Sequence, residues 1–315
     1  MNSVSSISPQ DLGVIQGSKN GPLMFDIYSN DINFLCENKE NLLFADDTCL
    51  TYTGNDLTSL VTYVNTRLKI ILDWCCSNKL SLNPNKSEFM LLTNRPIDND
   101  PIITLGACNI SRSNNVKYLG LFIDDKLNFS NHIINLKKKL SRLAGASYRL
   151  RGYFNYRASK NFYYACVYSL ITYCLAVYGG ALNTYRGSML TAAHEKIIKN
   201  LFSKYCPNSC PFKRNKLLKL KDIYKLYVGI HMYKMVNLNI NEEISETLSL
   251  ETPDHHYNTR NRNNLRTPFP RVEAIRRNYQ YQFVSVWNGI PNEIKESASL
   301  KIFKRNLTKY FCTSY

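Results

Sequence analysis

Asn41-Leu42-Leu43-Phe44-Ala45-Asp46-Asp47-Thr48-Cys49-Leu50-Thr51-Tyr52 reads as strand, tight turn, strand, with two acids at the turn. The apolar runs on both sides predict buried strands that hold the carboxylates at a fixed point on a sheet rim. Hard Mg²⁺ prefers carboxylate oxygens and keeps water or phosphate as its other ligands, so Asp46 and Asp47 are the candidate metal ligands, for Mg²⁺ or Mn²⁺. Adjacent acids in a turn are, taken alone, ordinary solvated turn residues. What surrounds the turn decides between the two.

Upstream stands Gly13-Val14-Ile15-Gln16-Gly17-Ser18-Lys19-Asn20-Gly21-Pro22-Leu23-Met24-Phe25. Downstream come Trp74, then Asn78-Lys79-Leu80-Ser81-Leu82-Asn83-Pro84-Asn85-Lys86, then Val116-Lys117-Tyr118-Leu119-Gly120-Leu121-Phe122-Ile123-Asp124. Each piece is weak alone. In this order and at these spacings the series resembles the reverse transcriptase of non-LTR (LINE-type, jockey-like) retrotransposons.

That resemblance implies a polymerase palm followed by a thumb. It makes Asp46, Asp47 and Lys86 the catalytic candidates. Asp46 would be the main metal ligand, Asp47 the accessory acid and Lys86 a group near the departing pyrophosphate. Gln16, Gly17 and Ser18 would lie at the template and nucleotide side with Phe44. Tyr118, Leu119 and Gly120 would belong to the strand pair that grips the primer end. The implied partners are an RNA template, a DNA primer and dNTPs, with chromosomal DNA as primer giving a nuclear setting. Ile15 and Lys19-Asn20 depart from the family's proline and apolar pair. The family's first catalytic aspartate lies on a strand well before the Gly13 segment, and only twelve residues precede Gly13 here. The expectation is therefore a polymerase fragment that is inactive alone. The alternative is a non-catalytic, basic nucleic-acid-binding protein derived from a transposon.

Composition fits a polyanion partner. The 315 residues carry 40 Lys and Arg against 24 Asp and Glu, a formal charge of +16. Such an excess speaks to partners rather than to fold. Between positions 112 and 160, eleven basic residues face two acids, Asp124 and Asp125. A solvated helix face normally mixes both signs, so Lys137, Lys138 and Arg142 are candidates for phosphate contact. No signal-like apolar stretch opens the chain, and ten scattered cysteines fit an intracellular protein, nuclear or cytoplasmic. Cys206 and Cys210 have a spacing that zinc accepts, but His194 and His231 do not complete a finger pattern.

The fold class expected is α/β (α+β): a partial palm over 1–125, an all-helical thumb-like region over 126–240 and a basic, Arg/Tyr-rich region over 241–315. Leu57, Leu60, Val61, Val64, Leu68, Ile71 and Leu72 predict a helix from Asp56 to Cys76, capped by Asn55 or Asp56. Glu88 to Thr93 is expected as a palm strand. Ile102 to Leu105 and Lys117 to Ile123 are expected as strands around a polar turn at Asn114-Asn115. Ser130 is expected to cap a helix running to Arg151. Asn161 to Tyr185 holds no charged residue over twenty-five positions, but its many tyrosines favour a buried helix over a membrane span. Helices are also expected over Leu190–Tyr205 and Leu217–Val236. Arg260, Arg262, Arg266, Arg271, Arg276 and Arg277 alternate with Tyr257, Phe269, Tyr279 and Tyr281, a mixture that suits single-stranded nucleic acid.

Overall fold

The computed structural model describes residues 17–35, 41–97, 99–206, 209–238, 240, 264–267 and 279–313. These fall in two compact units, Met1–Asn114 and Asn115–Tyr315. Mixed helix and sheet is the observed class, with the sheet in short ladders and the helix concentrated in the second unit.

The first unit opens on helix α1 (Gly21–Ser29), which has Pro22 in its first turn and the Ser18 hydroxyl accepting the Gly21 N–H at 3.0 Å. Strands β1 (Asn41–Phe44) and β2 (Asp47–Leu50) pair antiparallel, with Leu42 opposite Cys49 and Phe44 opposite Asp47. Helix α2 (Leu57–Ser77) starts at Asp56, whose carboxylate accepts the Ser59 N–H at 2.7 Å, the cap expected from the sequence. Ile71 and Cys75 of α2 meet Ile32, and Leu43, Leu50, Trp74, Leu80 and Leu82 close over them. The α2 helix thus packs behind the hairpin that carries the acids.

Two expectations fail here. Apolar flanks do not bury both strands: alternation turns Leu42 and Phe44 outward, 58% and 61% exposed, and only Leu43 and Leu50 reach the core. Nor is there one palm-like half-sheet among the described residues. Strand β3 (Glu88–Phe89) is two residues long and pairs parallel with β6 (Ser111–Arg112), while β4 (Thr104–Leu105) pairs with β5 (Cys108–Asn109). Asn65 on α2 explains part of this. Its side chain accepts the Thr104 N–H at 2.9 Å and donates to the Ile102 carbonyl at 3.1 Å, using groups that a neighbouring strand would need.

The second unit begins with a hairpin, β7 (Asn115–Tyr118) and β8 (Leu121–Asp124). Its turn is Leu119-Gly120, at φ +45° and +82°, which divides the single strand expected over Lys117 to Ile123; Asn115, expected in a polar turn before that strand, is instead the first residue of β7. Two left-handed residues in a row match the twist of a two-residue hairpin. Helix α3 (Ser130–Leu150) follows and buries His132, Ile133, Leu136, Leu140, Ala144 and Ser147. Ser130 does not cap it. The buried Asp124 does, accepting the Asn128 N–H at 2.8 Å and the Ser130 N–H at 3.0 Å.

The uncharged stretch buries one side, leaves Tyr164, Tyr173 and Val177 exposed, and is not one helix. It passes through α4 (Tyr156–Phe162), a widened π-turn segment at Tyr163–Tyr168, α5 (Ser169–Thr172) and α6 (Leu175–Tyr178). Ser159, Tyr163, Val167, Ile171 and Leu175 are buried at every fourth position. An α-helix of about 3.6 residues per turn drifts some 40° at each such step, and the wider π-turn takes part of that drift back. Among the described residues no single helix is long and apolar enough to cross a membrane. Tyr156–Thr172 and Leu175–Asn183 qualify only as a pair, bent by 56°.

Helix α7 (Tyr185–Phe202) lies along α3, and Asn200 donates to the Ala144 carbonyl and the Ser147 hydroxyl, both at 3.0 Å. Helices α8 (Pro211–Asn215), α9 (Leu220–Leu238), α10 (Tyr279–Asn288), α11 (Asn292–Lys295) and α12 (Leu300–Thr313) complete the unit. Leu190, Ile197, Phe202, Val228, Met232, Trp287 and Phe303 sit in one continuous core.

Candidate functional site

Ala45 and Asp46 form the two-residue connection between β1 and β2. Ala45 sits at φ +53°, a left-handed conformation that costs a non-glycine residue about 1 kcal/mol. The strain presents Asp46 at the tip of the turn, with Asp47 as the first residue of β2. Both acids are exposed. No group of three or more His, Cys, Asp or Glu side chains that could hold a metal occurs among the described residues, around these acids or elsewhere. Cys206 and Cys210 therefore gain no histidine partners there. Cys206 is buried against the Asn215 amide, and His194 bonds Tyr163. The two adjacent carboxylates supply hard oxygens of the type Mg²⁺ accepts, and Mg²⁺ is commonly held by one or two carboxylates plus phosphate oxygens. The donor set fits that ion as part of a shell.

Lys86 ends a short 3₁₀ turn (Pro84–Lys86) and is exposed. Asn83 fixes that turn, accepting the Asn85 N–H at 3.0 Å with its side chain and the Ser87 hydroxyl at 3.0 Å with its carbonyl. Gly17 is left-handed at φ +83° and exposed, with open space where a Cβ would stand. This is the conformation and clearance that only glycine offers a closely approaching ligand backbone. Phe44 presents its ring to solvent next to the acids. Gln16 lies outside the described residues, as do all but Arg266, Tyr279 and Tyr281 of the alternating Arg and aromatic series.

The second unit holds the other candidates. Tyr118 is half-buried in β7, and the Leu119-Gly120 turn is fastened from α5's end by Tyr173, whose hydroxyl donates to the Leu119 carbonyl. The Tyr173 ring lies 3.5 Å from the position of a Cβ on Gly120, so ring and turn are in contact. Nothing in the motif order pointed to Tyr173, which stands 54 residues from its partner. Lys138 and Arg142 are exposed on α3, and Lys137 is half-buried. At 100° per residue Lys138, Arg142 and Arg149 fall within one narrow stripe. Gly145 lies in the same stripe, exposed and with nothing within 4 Å of a Cβ built there. The stripe is positive, and at Gly145 its backbone is uncovered.

Asp124 holds the hairpin to this helix. Replacing it with alanine strips two backbone N–H groups of their acceptor at the helix start. The expected result is a loss of about 1–2 kcal/mol, read as a lower urea midpoint with unchanged denaturant slope. An unchanged midpoint would show that water replaces the carboxylate at no cost.

Burial sets the protonation of the histidines here. It pushes His132 down to about 4, with the Lys139 ammonium adding to the effect. His132 therefore stays neutral beside the Tyr178 ring, 4.8 Å away, and adds no charge to the stripe at neutral pH.

Residues 1–123 match the family described as Reverse transcriptase (RNA-dependent DNA polymerase). The chain is 26% identical over 191 residues to the RNA-directed DNA polymerase from mobile element jockey of Drosophila melanogaster, covering 58% of this chain and 21% of that protein. It is 28% identical over 194 residues to the probable RNA-directed DNA polymerase from transposon BS of the same fly, covering 56% and 21%. It is 28% identical over 145 residues to the retrovirus-related Pol polyprotein from type-1 retrotransposable element R1 of Bradysia coprophila, covering 44% and 14%. The chain thus spans about a fifth or less of these curated relatives. No solved structure matches it.

Proposed function

We propose that this chain belongs with the reverse transcriptases of non-LTR retrotransposons and serves RNA-templated DNA synthesis as part of a polymerase. The single observation that carries this is the strained Ala45 turn that holds two adjacent carboxylates in solvent, within the matched residues. Asp46 and Asp47 would hold Mg²⁺ or Mn²⁺, whose chemistry is to lower the pKa of a primer hydroxyl and neutralise a leaving pyrophosphate. Lys86 would offer its ammonium to that leaving group. The Leu119-Gly120 turn and the Lys138–Arg142–Arg149 stripe would hold the template–primer duplex by its phosphates, with Lys137 at the margin. Phosphoryl transfer of this kind depends mostly on positioning and on charge neutralisation. RNA template, DNA primer and dNTP are the partners, and a chromosomal primer would place the work in the nucleus.

Among the described residues no third acid joins the two carboxylates, which leaves the metal shell short. The 315-residue polypeptide by itself is expected to extend an oligo(dT) primer on poly(rA) no faster than its Asp46→Ala variant, with Mg²⁺ or Mn²⁺. Robust synthesis abolished by Asp46→Ala would instead show the metal set to be complete within these residues.

One observation favours a second reading, a non-catalytic nucleic-acid-binding role. No Asp or Glu occurs between Asp125 and Glu195, so the positive surface of this region is not offset within its own stretch. Binding that is steep in salt and indifferent to Asp46→Asn supports that role, whereas dependence on Asp46 and Mg²⁺ removes it.

A further inference from the structure

The far end of α3, the loop behind it and the start of α4 carry a second group of aromatic and cationic side chains, which meets the α3 stripe at Arg149. Tyr153, in the loop, is 88% exposed. Tyr148 and Tyr156 are exposed on either side, and Arg149, Arg151 and Arg157 are exposed among them. The Arg151 guanidinium lies 4.0 Å from the centre of the Tyr148 ring, and the Lys160 ammonium lies 5.2 Å from that of Tyr156. The loop backbone is pinned. Lys204, in the 3₁₀ turn just past α7, donates to the Arg151 carbonyl at 2.7 Å and also to that of Phe154. Tyr205 donates to the Phe154 carbonyl at 2.9 Å and packs edge-on against Tyr156 at 5.4 Å. Asn155 caps α4 by accepting the Ala158 N–H at 2.8 Å.

We propose that Tyr148, Arg151, Tyr153 and Arg157 form a stacking platform for single-stranded nucleic acid. Open aromatic faces between cations, with no carboxylate in the same stretch of chain, match a strand that offers bases and phosphates together. A guanidinium already lying on a tyrosine ring extends the flat surface available to a base. A pinned loop has paid its ordering entropy before the ligand arrives, so Tyr153 stacks at small further cost. Arg149 also closes the Lys138–Arg142 stripe, which brings the platform to the end of the proposed duplex face. The inference rests on the reading that this chain handles nucleic acid, but on different residues from those that read a duplex.

The test uses the full chain and fluorescence anisotropy with three labelled probes: a 12-nucleotide oligo(rU), an oligo(dT) of the same length and a 12-base-pair RNA–DNA hybrid. Tyr153→Ala is expected to weaken both single strands about five- to fiftyfold, the range for one stacked base. It should leave the salt slope and the hybrid affinity unchanged. Tyr153→Phe should restore binding, since the ring and not the hydroxyl does the stacking. Arg151→Ala should lower the single-strand salt slope by about 0.7. Thermal melting of each variant confirms the fold, which a side chain this exposed does not support. Single-strand affinity unmoved by Tyr153→Ala, or lost equally with hybrid affinity, overturns the platform. Wild-type protein that binds neither strand nor hybrid overturns the nucleic-acid reading and the platform with it. Preference between the rU and dT probes distinguishes RNA from DNA as the strand held.

Discussion

Replacing Lys138 and Arg142 together by glutamate will cut affinity for an RNA–DNA hybrid by about a hundredfold at about 50 mM salt. Each replacement removes one phosphate contact and brings a carboxylate against the backbone. The slope of log K against log salt should fall by about 2, because each neutralised phosphate contributes close to one released counterion. The matched control is Lys301→Glu with Lys309→Glu on α12, which changes net charge equally at two exposed positions. If the long-range field alone governed binding, both pairs would lose alike. Equal losses would therefore remove α3 as the contact. A loss confined to Lys138 and Arg142 ties binding to that stripe and to the uncovered backbone at Gly145.

Acid will weaken the helical unit before its carboxylates titrate. His194 is fully buried between Tyr163 and Phe212; burial holds its pKa at about 4, and its Nδ1 has no hydrogen-bond partner among the described residues. Above about pH 6.5 the imidazole is neutral folded or unfolded, and pH has no hold on stability through it. Between 6.5 and 4 the unfolded chain takes up a proton that the folded chain refuses. Stability then falls with falling pH, by about 3 kcal/mol across the window for this one residue. His132 and His231 are depressed by burial too and act in the same direction. Urea unfolding at pH 7.5, 6, 5 and 4 reads the effect, and His194→Gln, which keeps an acceptor for Tyr163, should flatten the curve. Equal pH slopes for the wild type and the variant would clear His194 of any part in it.

The elements legible in the sequence are those whose signal is local. Asp56 followed by apolar residues at spacings of three and four gave α2 and its cap. Asp46-Asp47 between apolar runs gave the hairpin and its turn. The failures come from tertiary choices. Lys117 to Ile123 reads as one strand by composition, but the chain turns back at Leu119-Gly120, a turn that Tyr173 holds from 54 residues away. Asp124 ends β8 and also caps the start of α3, a role set by where the backbone returns four and six residues later. Leu42 and Phe44 were expected inside because apolar residues favour burial, yet a two-stranded ladder with one covered face must turn alternate side chains out. The site residues were named by motif order, not by geometry. That order carries nothing about Tyr173 or His194, which act through contacts no linear pattern records.

The widened turn at Tyr163–Tyr168 bears on how this part of the chain can vary. Six residues wound as a π-helix subtend roughly one residue's rotation less than the same six wound as an α-helix. Such a turn therefore stores one surplus residue between two segments already fastened to their neighbours. Loss of a single residue there would let ordinary winding resume while Ser159 and Ile171 kept their places in the core. The same loss inside α7 would turn every later side chain by about 100° and take His194, Ile197 and Leu201 out of register. Tolerance to deletion is thus concentrated at the widened turn, between two stretches already fixed in the core.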